Sequence, residues 1–403
     1  MRTEERLHAL DALRAFALLS GIVLHATMSF MPGLAAVGFP ADNSLSPPLQ
    51  VLFYVIHVFR MSLFFVVAGF FSHLLFHRKG AAGFVRDRAK RIFVPLVGSW
   101  ILFGPLAMAM VYLGLGPKIE GPPPAINGFP LGHLWFLYYL LLFYGATLVL
   151  RGAFVRLLDR RGEQRARVDG WVGSVVRGYA APVLLAAPIA ACLYLTPNWV
   201  MFSGIGSPDT GFTPQLPAMV GFGTAFGFGW LLHRQSEVLS VWKQRWATHL
   251  VIAVAFTVVS FWISERVPDP LSVASAVKLG YAACYTLAIW NWIFGLIGVA
   301  LRFFAGESSL RRYLADSSYW MYLAHLPLVF ALQMTVREWP LHWSIKFPLV
   351  VGVAVAVLLV SYRYLVRSTY IGELLNGRRY ARARAPATPI MSSAAARNSV
   401  GAN

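Results

Sequence analysis

Residues 8–25 read HALDALRAFALLSGIVLH. The stretch is apolar enough to enter a bilayer, yet it carries Asp11, Arg14 and His25. On a helix, Asp11 and Arg14 are three positions apart and neutralise each other. Arg14 and His25 are eleven positions apart. That spacing returns them to one face within about 20° and sets them about 16 Å apart along the axis. Ionisable groups in lipid are costly and point first to a functional site. One helix face therefore presents an ion pair near one interface and an imidazole deep inside. The plainer alternative stays open at this point: Asp11–Arg14 anchors the helix at the interface, and His25 bonds a neighbouring helix.

The rest of the 403-residue chain repeats this apolar pattern. It is 57% hydrophobic and only 13% charged, about half the charged fraction of a soluble protein. Mean hydropathy is +0.59. Blocks of about 20 apolar residues are long enough to cross a bilayer as helices. The blocks predict spans near 10–30, 50–76, 92–113, 134–150, 180–198, 216–233, 247–264, 274–301, 314–334 and 345–366. The expected fold is all-α, an integral membrane bundle of about ten transmembrane helices. An ordinary soluble enzyme, a disordered chain and a secreted disulfide scaffold are excluded. The first span resembles a signal peptide, but its internal charges and the later spans favour a retained helix. Cys192 and Cys284 sit in apolar stretches and read as small hydrophobes.

The net charge of +18 suits either nucleic acid or membrane topology. Position decides between them. With both termini on one side, that side collects 28 of the 35 Lys and Arg residues, and the opposite loops hold three. Such asymmetry predicts cytoplasmic N- and C-termini. Nucleic acid is not an expected partner, and the lipid bilayer is. Residues 1–375 read as a single membrane domain. Residues 376–403, rich in Arg, Ala, Pro and Ser, read as a basic, disordered cytoplasmic tail. No internal repeat is visible, and the number of subunits is not legible.

Other polar residues inside the spans are candidates for chemistry. His57 and Arg60 share a face near the outer end of the second span; an arginine there grips an anion or snorkels to headgroups. Arg88 and Arg91, in FVRDRAKRIFVP, are three apart and suit phosphate, or simply mark a cytoplasmic loop. His133 and Trp135 open HLWFLYYLL, whose aromatics also suit an interfacial belt. Tyr322 and His325 share a face in SSYWMYLAHLPLV, where a satisfied buried histidine is the simpler reading. No HExxH pair occurs, and no metal is expected.

Together, LDALRAFALLSGIVLH, the Arg88–Arg91 pair, HVFRMSLFFVVAGFFS (57–72), GHLWFL (132–137) and YLAHLPL (322–328) resemble the membrane acyltransferase-3 superfamily, and within it the glucans biosynthesis protein C branch. The resemblance spans about residues 8 to 366. It implies a multi-pass protein of a bacterial inner membrane. It also implies a cytoplasmic acyl-CoA co-substrate, with succinyl-CoA expected in that branch, and a periplasmic glucan as acceptor. It gives a donor-site role to Arg88 and Arg91 and an essential role to Arg14 and His25. With a histidine base, the expected catalytic set is His25, Arg14, Asp11, Arg60 and His325. Arg88, Arg91 and Arg14 are expected on the donor, and His57, His133, Trp135 and Tyr322 on the acceptor. O-acetylation of a lipopolysaccharide or exopolysaccharide is a related alternative. A glycan or anion transporter is the alternative of another class, though it would favour repeated halves.

Overall fold

A computed structural model describes residues 3–33, 41–115, 130–209, 211–267, 274–377 and 379–380. The described chain is helical almost throughout. In order, the helices are α1 (Thr3–Thr27), α2 (Pro47–Arg88), α3 (Val94–Leu115), α4 (Trp135–Leu157), α5 (Glu163–Arg177) and α6 (Ala181–Leu195). They continue as α7 (Leu216–Leu232), α8 (Leu239–Arg266), α9 (Ser275–Phe303), α10 (Ser309–Val336), α11 (Trp343–Ser361) and α12 (Tyr370–Asn376).

Each of the ten expected spans falls on a helix, but fewer pass a bilayer test. Six helical stretches among the described residues are long and apolar enough to cross a membrane, one of them the continuous run Pro47–Ala109. A seventh is reached if α5 and α6, bent by 102°, form one span. The shortfall is physical: the run Pro47–Ala109 takes in two expected spans, α6 has 15 residues, α7 has 17, and α10 mixes Ser317, Ser318, His325 and Gln333 into its apolar length. Between the expected spans 134–150 and 180–198 lies a further helix, α5, which buries Val172 and Val176.

A bundle in lipid gains little from sequestering apolar side chains, so close packing holds it together. Ile101, Leu102, Val149, Leu150, Val251 and Val258 stay exposed, as lipid-facing residues do. Where α2 crosses α7, the backbones touch. A Cβ on Gly69 would overlap the Phe226 carbonyl, and one on Gly229 would overlap that of Val66. Gly229→Val is therefore expected to lower the midpoint of thermal unfolding in detergent, at a cost of about 1–3 kcal/mol or more. An unchanged midpoint would mean that the crossing is not tight.

Lys346, fully buried in α11, donates to Asp42 Oδ1 (2.9 Å), Asn43 Oδ1 (2.7 Å) and the Arg337 carbonyl (3.1 Å). The pair fixes the loop before α2 against the α10–α11 turn. At the other end of α2, Gly80 takes φ +66°, a value open mainly to glycine, and breaks the helix. Residues 81–88 then lead into a π-helical turn, Ala89–Phe93, before α3. Single π turns often occur at functional sites. This one carries Arg91, with Arg88 just before it.

Candidate active site

α1, α2, α4 and α10 enclose two cavities in line. The first, of about 260 Å³, is lined by His25, His57, Arg60, His133, Trp135, Tyr322 and His325, among others. The second, of about 180 Å³, is lined by Arg14, Arg88, Arg91, Tyr144, Tyr319 and Tyr322, among others. Leu18, Phe64, Phe136 and Tyr322 line both cavities and form the collar between them.

The histidine cavity gathers residues from six separate sequence segments, four of which supply its histidines. The His25 and His325 rings lie 5.1 Å apart, as do those of His133 and His325. Three of the imidazoles are held by backbone carbonyls. His57 Nε2 donates to Ser203 (2.9 Å), His133 Nε2 to Leu323 (3.2 Å) and His325 Nδ1 to Tyr322 (2.6 Å). A carbonyl only accepts, so these bonds place the proton and leave the other nitrogen of each neutral ring with a lone pair. The Leu323 carbonyl is available because Pro327, four residues on, has no N–H to offer it. Tyr322 returns the contact, its hydroxyl donating to the His133 carbonyl (2.6 Å).

His25 differs from the other three. Its ring makes no hydrogen bond among the described residues, and Nδ1 is buried without a partner. Its backbone is fixed instead: Gln333 donates to the carbonyls of His25 (3.0 Å) and Ala26 (3.1 Å). His325 Nε2 and Arg60 Nε are also buried and unpartnered. Arg60 reaches across α1 at Gly21, where any Cβ would overlap its guanidinium. Unsatisfied buried donors and acceptors are costly, and three in one cavity mark a place built for a polar ligand.

The arginine cavity is organised by a carboxylate that the sequence reading passed over. Asp87, buried and one residue before Arg88, accepts from Lys79 Nζ (2.6 Å) and Arg88 (2.5 Å) and lies 3.6 Å from Arg91 Nε. Tyr319 holds the π turn from α10, donating to the Arg91 carbonyl (2.9 Å). Arg88 also lies over the Tyr144 ring at 5.7 Å, and its Nε is buried without a partner.

The two sets expected from sequence are thus assembled, with one exception. Asp11 pairs with Arg14 (3.2 Å) but lines neither cavity. Arg14 faces the arginine cavity rather than His25. Gln333 was legible as a lone amide in an apolar helix, and Asp87 as an acid between two bases. Asp209 was not legible. It comes from a loop whose carbonyl accepts from the Leu131 (2.9 Å) and Gly132 (3.0 Å) amides, and its side chain reaches the histidine cavity. A further pair escaped the sequence reading: His73 and His77, four apart, touch at 3.1 Å, and His73 touches His233 at 2.8 Å. Among the described residues, no group of three or more His, Cys, Asp or Glu is placed to hold a metal.

With this geometry in hand, comparison with known proteins is informative. The family model described as an acyltransferase domain matches residues 7–363, nearly the whole chain. The chain belongs to this acyltransferase family. It is also similar to proteins called glucans biosynthesis protein C, from Escherichia coli strain SMS-3-5 and from Escherichia coli O1:K1, at 29% identity over 147 residues. That match covers 34% of this chain and 37% of each relative's length. No solved structure matches. Family membership and several helices long and apolar enough to cross a membrane thus occur in one chain.

Proposed function

We propose that the protein is a bacterial inner-membrane O-acyltransferase that takes a succinyl group from cytoplasmic succinyl-CoA and places it on a hydroxyl of a periplasmic glucan. The observation that carries this reading is the pair of cavities, one lined by arginines and one by histidines, sharing a collar of four side chains. In this reading the chain crosses the membrane ten times, with both termini cytoplasmic, because basic residues then gather on the inner face. The phosphates of the polyanionic donor stay near Arg14, Arg88 and Arg91. The pantetheine arm passes the collar and brings the thioester to His25, while the acceptor enters the histidine cavity from the periplasm past His57, His133 and Trp135.

In the reaction, an acceptor hydroxyl oxygen attacks the thioester carbonyl as His25 takes its proton. Arg60 stabilises the oxyanion. His325 does not serve as a donor there, since Nδ1 carries its proton and Nε2 a lone pair. The intermediate collapses with cleavage of the C–S bond, and the His25 proton passes to the leaving thiolate. The products are an ester and free coenzyme A.

Gly21→Ala tests the role of Arg60 without weakening the helix, because alanine is the better helix former. The added methyl displaces the guanidinium, and misplacement by about 1 Å costs about 10²-fold in rate. The expected result is that loss in kcat/KM with unchanged thermal stability. Full activity would remove Arg60 from the mechanism. The overall reading is tested by mass spectrometry of periplasmic glucans from cells with and without the protein. A gain of one succinyl group per modified site, only when the protein is present, is expected. Unchanged glucans would refute the assigned donor–acceptor pair.

A further inference from the structure

The arginine cavity has a neighbour on the far side of Arg91. A concavity of about 470 Å³ is lined by Lys79, Arg86, Lys90, Arg91, Glu373 and Gly377, among others. We propose that it is a polyphosphate-binding annex that takes the nucleotide phosphates of the acyl-CoA donor, an assignment that rests on the acyl-CoA reading above.

Size is the first argument. Sites for small molecules occupy about 300–1,000 Å³. The arginine cavity, at about 180 Å³, suits a slender pantetheine arm and the phosphate next to it but not a whole nucleotide. The concavity, at about 470 Å³, is within the range. Arg91 lines both, so a molecule bound across them passes one guanidinium.

Charge is the second argument. Four cations and two acids, Asp87 and Glu373, line the concavity, and Asp87 is already engaged by Lys79, Arg88 and Arg91. Arg86 and Lys90 are exposed, and among the described residues neither is paired with an acid. A nucleotide end with three phosphate groups calls for several cations held together, and guanidinium groups match phosphate geometry.

The third argument is that the wall opposite these cations is built. After α11 the chain folds back through α12. Asn376 donates to the Tyr362 hydroxyl (3.0 Å), and the Tyr380 hydroxyl donates to Asp316 Oδ2 (2.5 Å). Lys90 Nζ lies 5.7 Å over the Tyr370 ring. Gly377 has φ +73°, and a Cβ there would overlap the Arg91 guanidinium. The backbone at Gly377 thus fits against Arg91, and Leu375 and Asn376 line the arginine cavity itself. α12 and Gly377 are therefore part of the donor site in this proposal.

The test uses the full-length protein in nanodiscs, with adenosine 3′,5′-bisphosphate as the probe. Arg86→Gln with Lys90→Gln removes two annex cations and leaves the Asp87 cluster intact. Lys79→Gln alone is the second variant. Each is expected to bind the bisphosphate about tenfold more weakly, as loss of charge-assisted contacts implies. In turnover, the double variant raises the KM for succinyl-CoA by a similar factor and leaves that for succinyl-pantetheine, which lacks the nucleotide, where it was. No bisphosphate binding to the unaltered protein would overturn the annex, as would equal losses for the two donors. So would wild-type bisphosphate binding by the double variant accompanied by loss of co-purified anionic phospholipid, which would assign the concavity to a lipid headgroup. Bisphosphate binding that the variants weaken, with neither thioester transferred, would support the annex as a phosphate site while refuting the proposed reaction.

Discussion

His25→Ala leaves the protein folded and inserted but lowers acyl transfer by about 10²–10⁴-fold, the range for loss of a general base. The separation of folding from activity follows from the contacts. The His25 ring makes no hydrogen bond among the described residues, while its backbone carbonyl is held by Gln333. Removing the ring therefore breaks no bond of the fold. His325→Ala behaves differently, because that ring bonds within α10 and touches the rings of both His25 and His133. The check is single-turnover transfer from labelled succinyl-CoA to glucan, with unfolding followed in parallel. Transfer at the wild-type rate in His25→Ala would remove His25 as the base.

Arg88→Ala combined with Arg91→Ala raises the KM for succinyl-CoA by about 10²-fold or more and leaves that for glucan nearly unchanged. Each charge-assisted contact with phosphate contributes about 1.5–3 kcal/mol, so two lost contacts reach that size. Lysine at either position is not an adequate replacement, because a point charge does not reproduce the planar fork that Asp87 and the Tyr144 ring orient. Asp87→Asn should give a smaller rise in the same constant by loosening both arginines. Steady-state kinetics with each substrate varied separately checks both. Equal losses for donor and acceptor, or no loss for either, would leave the arginine pair with a topological role alone.

Much of this arrangement was legible in the sequence, and the reasons differ by residue. The helices were legible because apolar blocks are long and punctuated by Gly, Pro and charge. Fewer of them are long and apolar enough to span on their own, because α2 and α3 form one continuous run, α6 and α7 are short and α10 mixes polar side chains into its apolar length. His25, Arg60, His133 and His325 stood out because polar groups are conspicuous against an apolar background. That they share one cavity was not legible, since it depends on how α1, α2, α4 and α10 pack. Asp11 looked equivalent to Arg14 along the helix, but three residues of helix are enough to turn it away from both cavities. Asp87 was visible as an acid among bases, but its buried contacts with Lys79, Arg88 and Arg91 emerge only in the folded chain. Asp209, Glu373, Leu375, Asn376 and Gly377 lie far along the chain from the motifs, and only tertiary structure brings them to the cavities. The expected tail beyond Tyr380 lies outside the described residues.

The central claim is that donor and acceptor meet inside the protein from opposite faces of the membrane. Sealed proteoliposomes test it most directly, with labelled succinyl-CoA confined to one side and glucan to the other. With mixed insertion, one population presents its arginine cavity to the donor and its histidine cavity to the glucan. Labelled glucan should form in that arrangement and be nearly absent when both substrates are on one side. Transfer only when donor and acceptor share a side, or none in either arrangement, would contradict the claim.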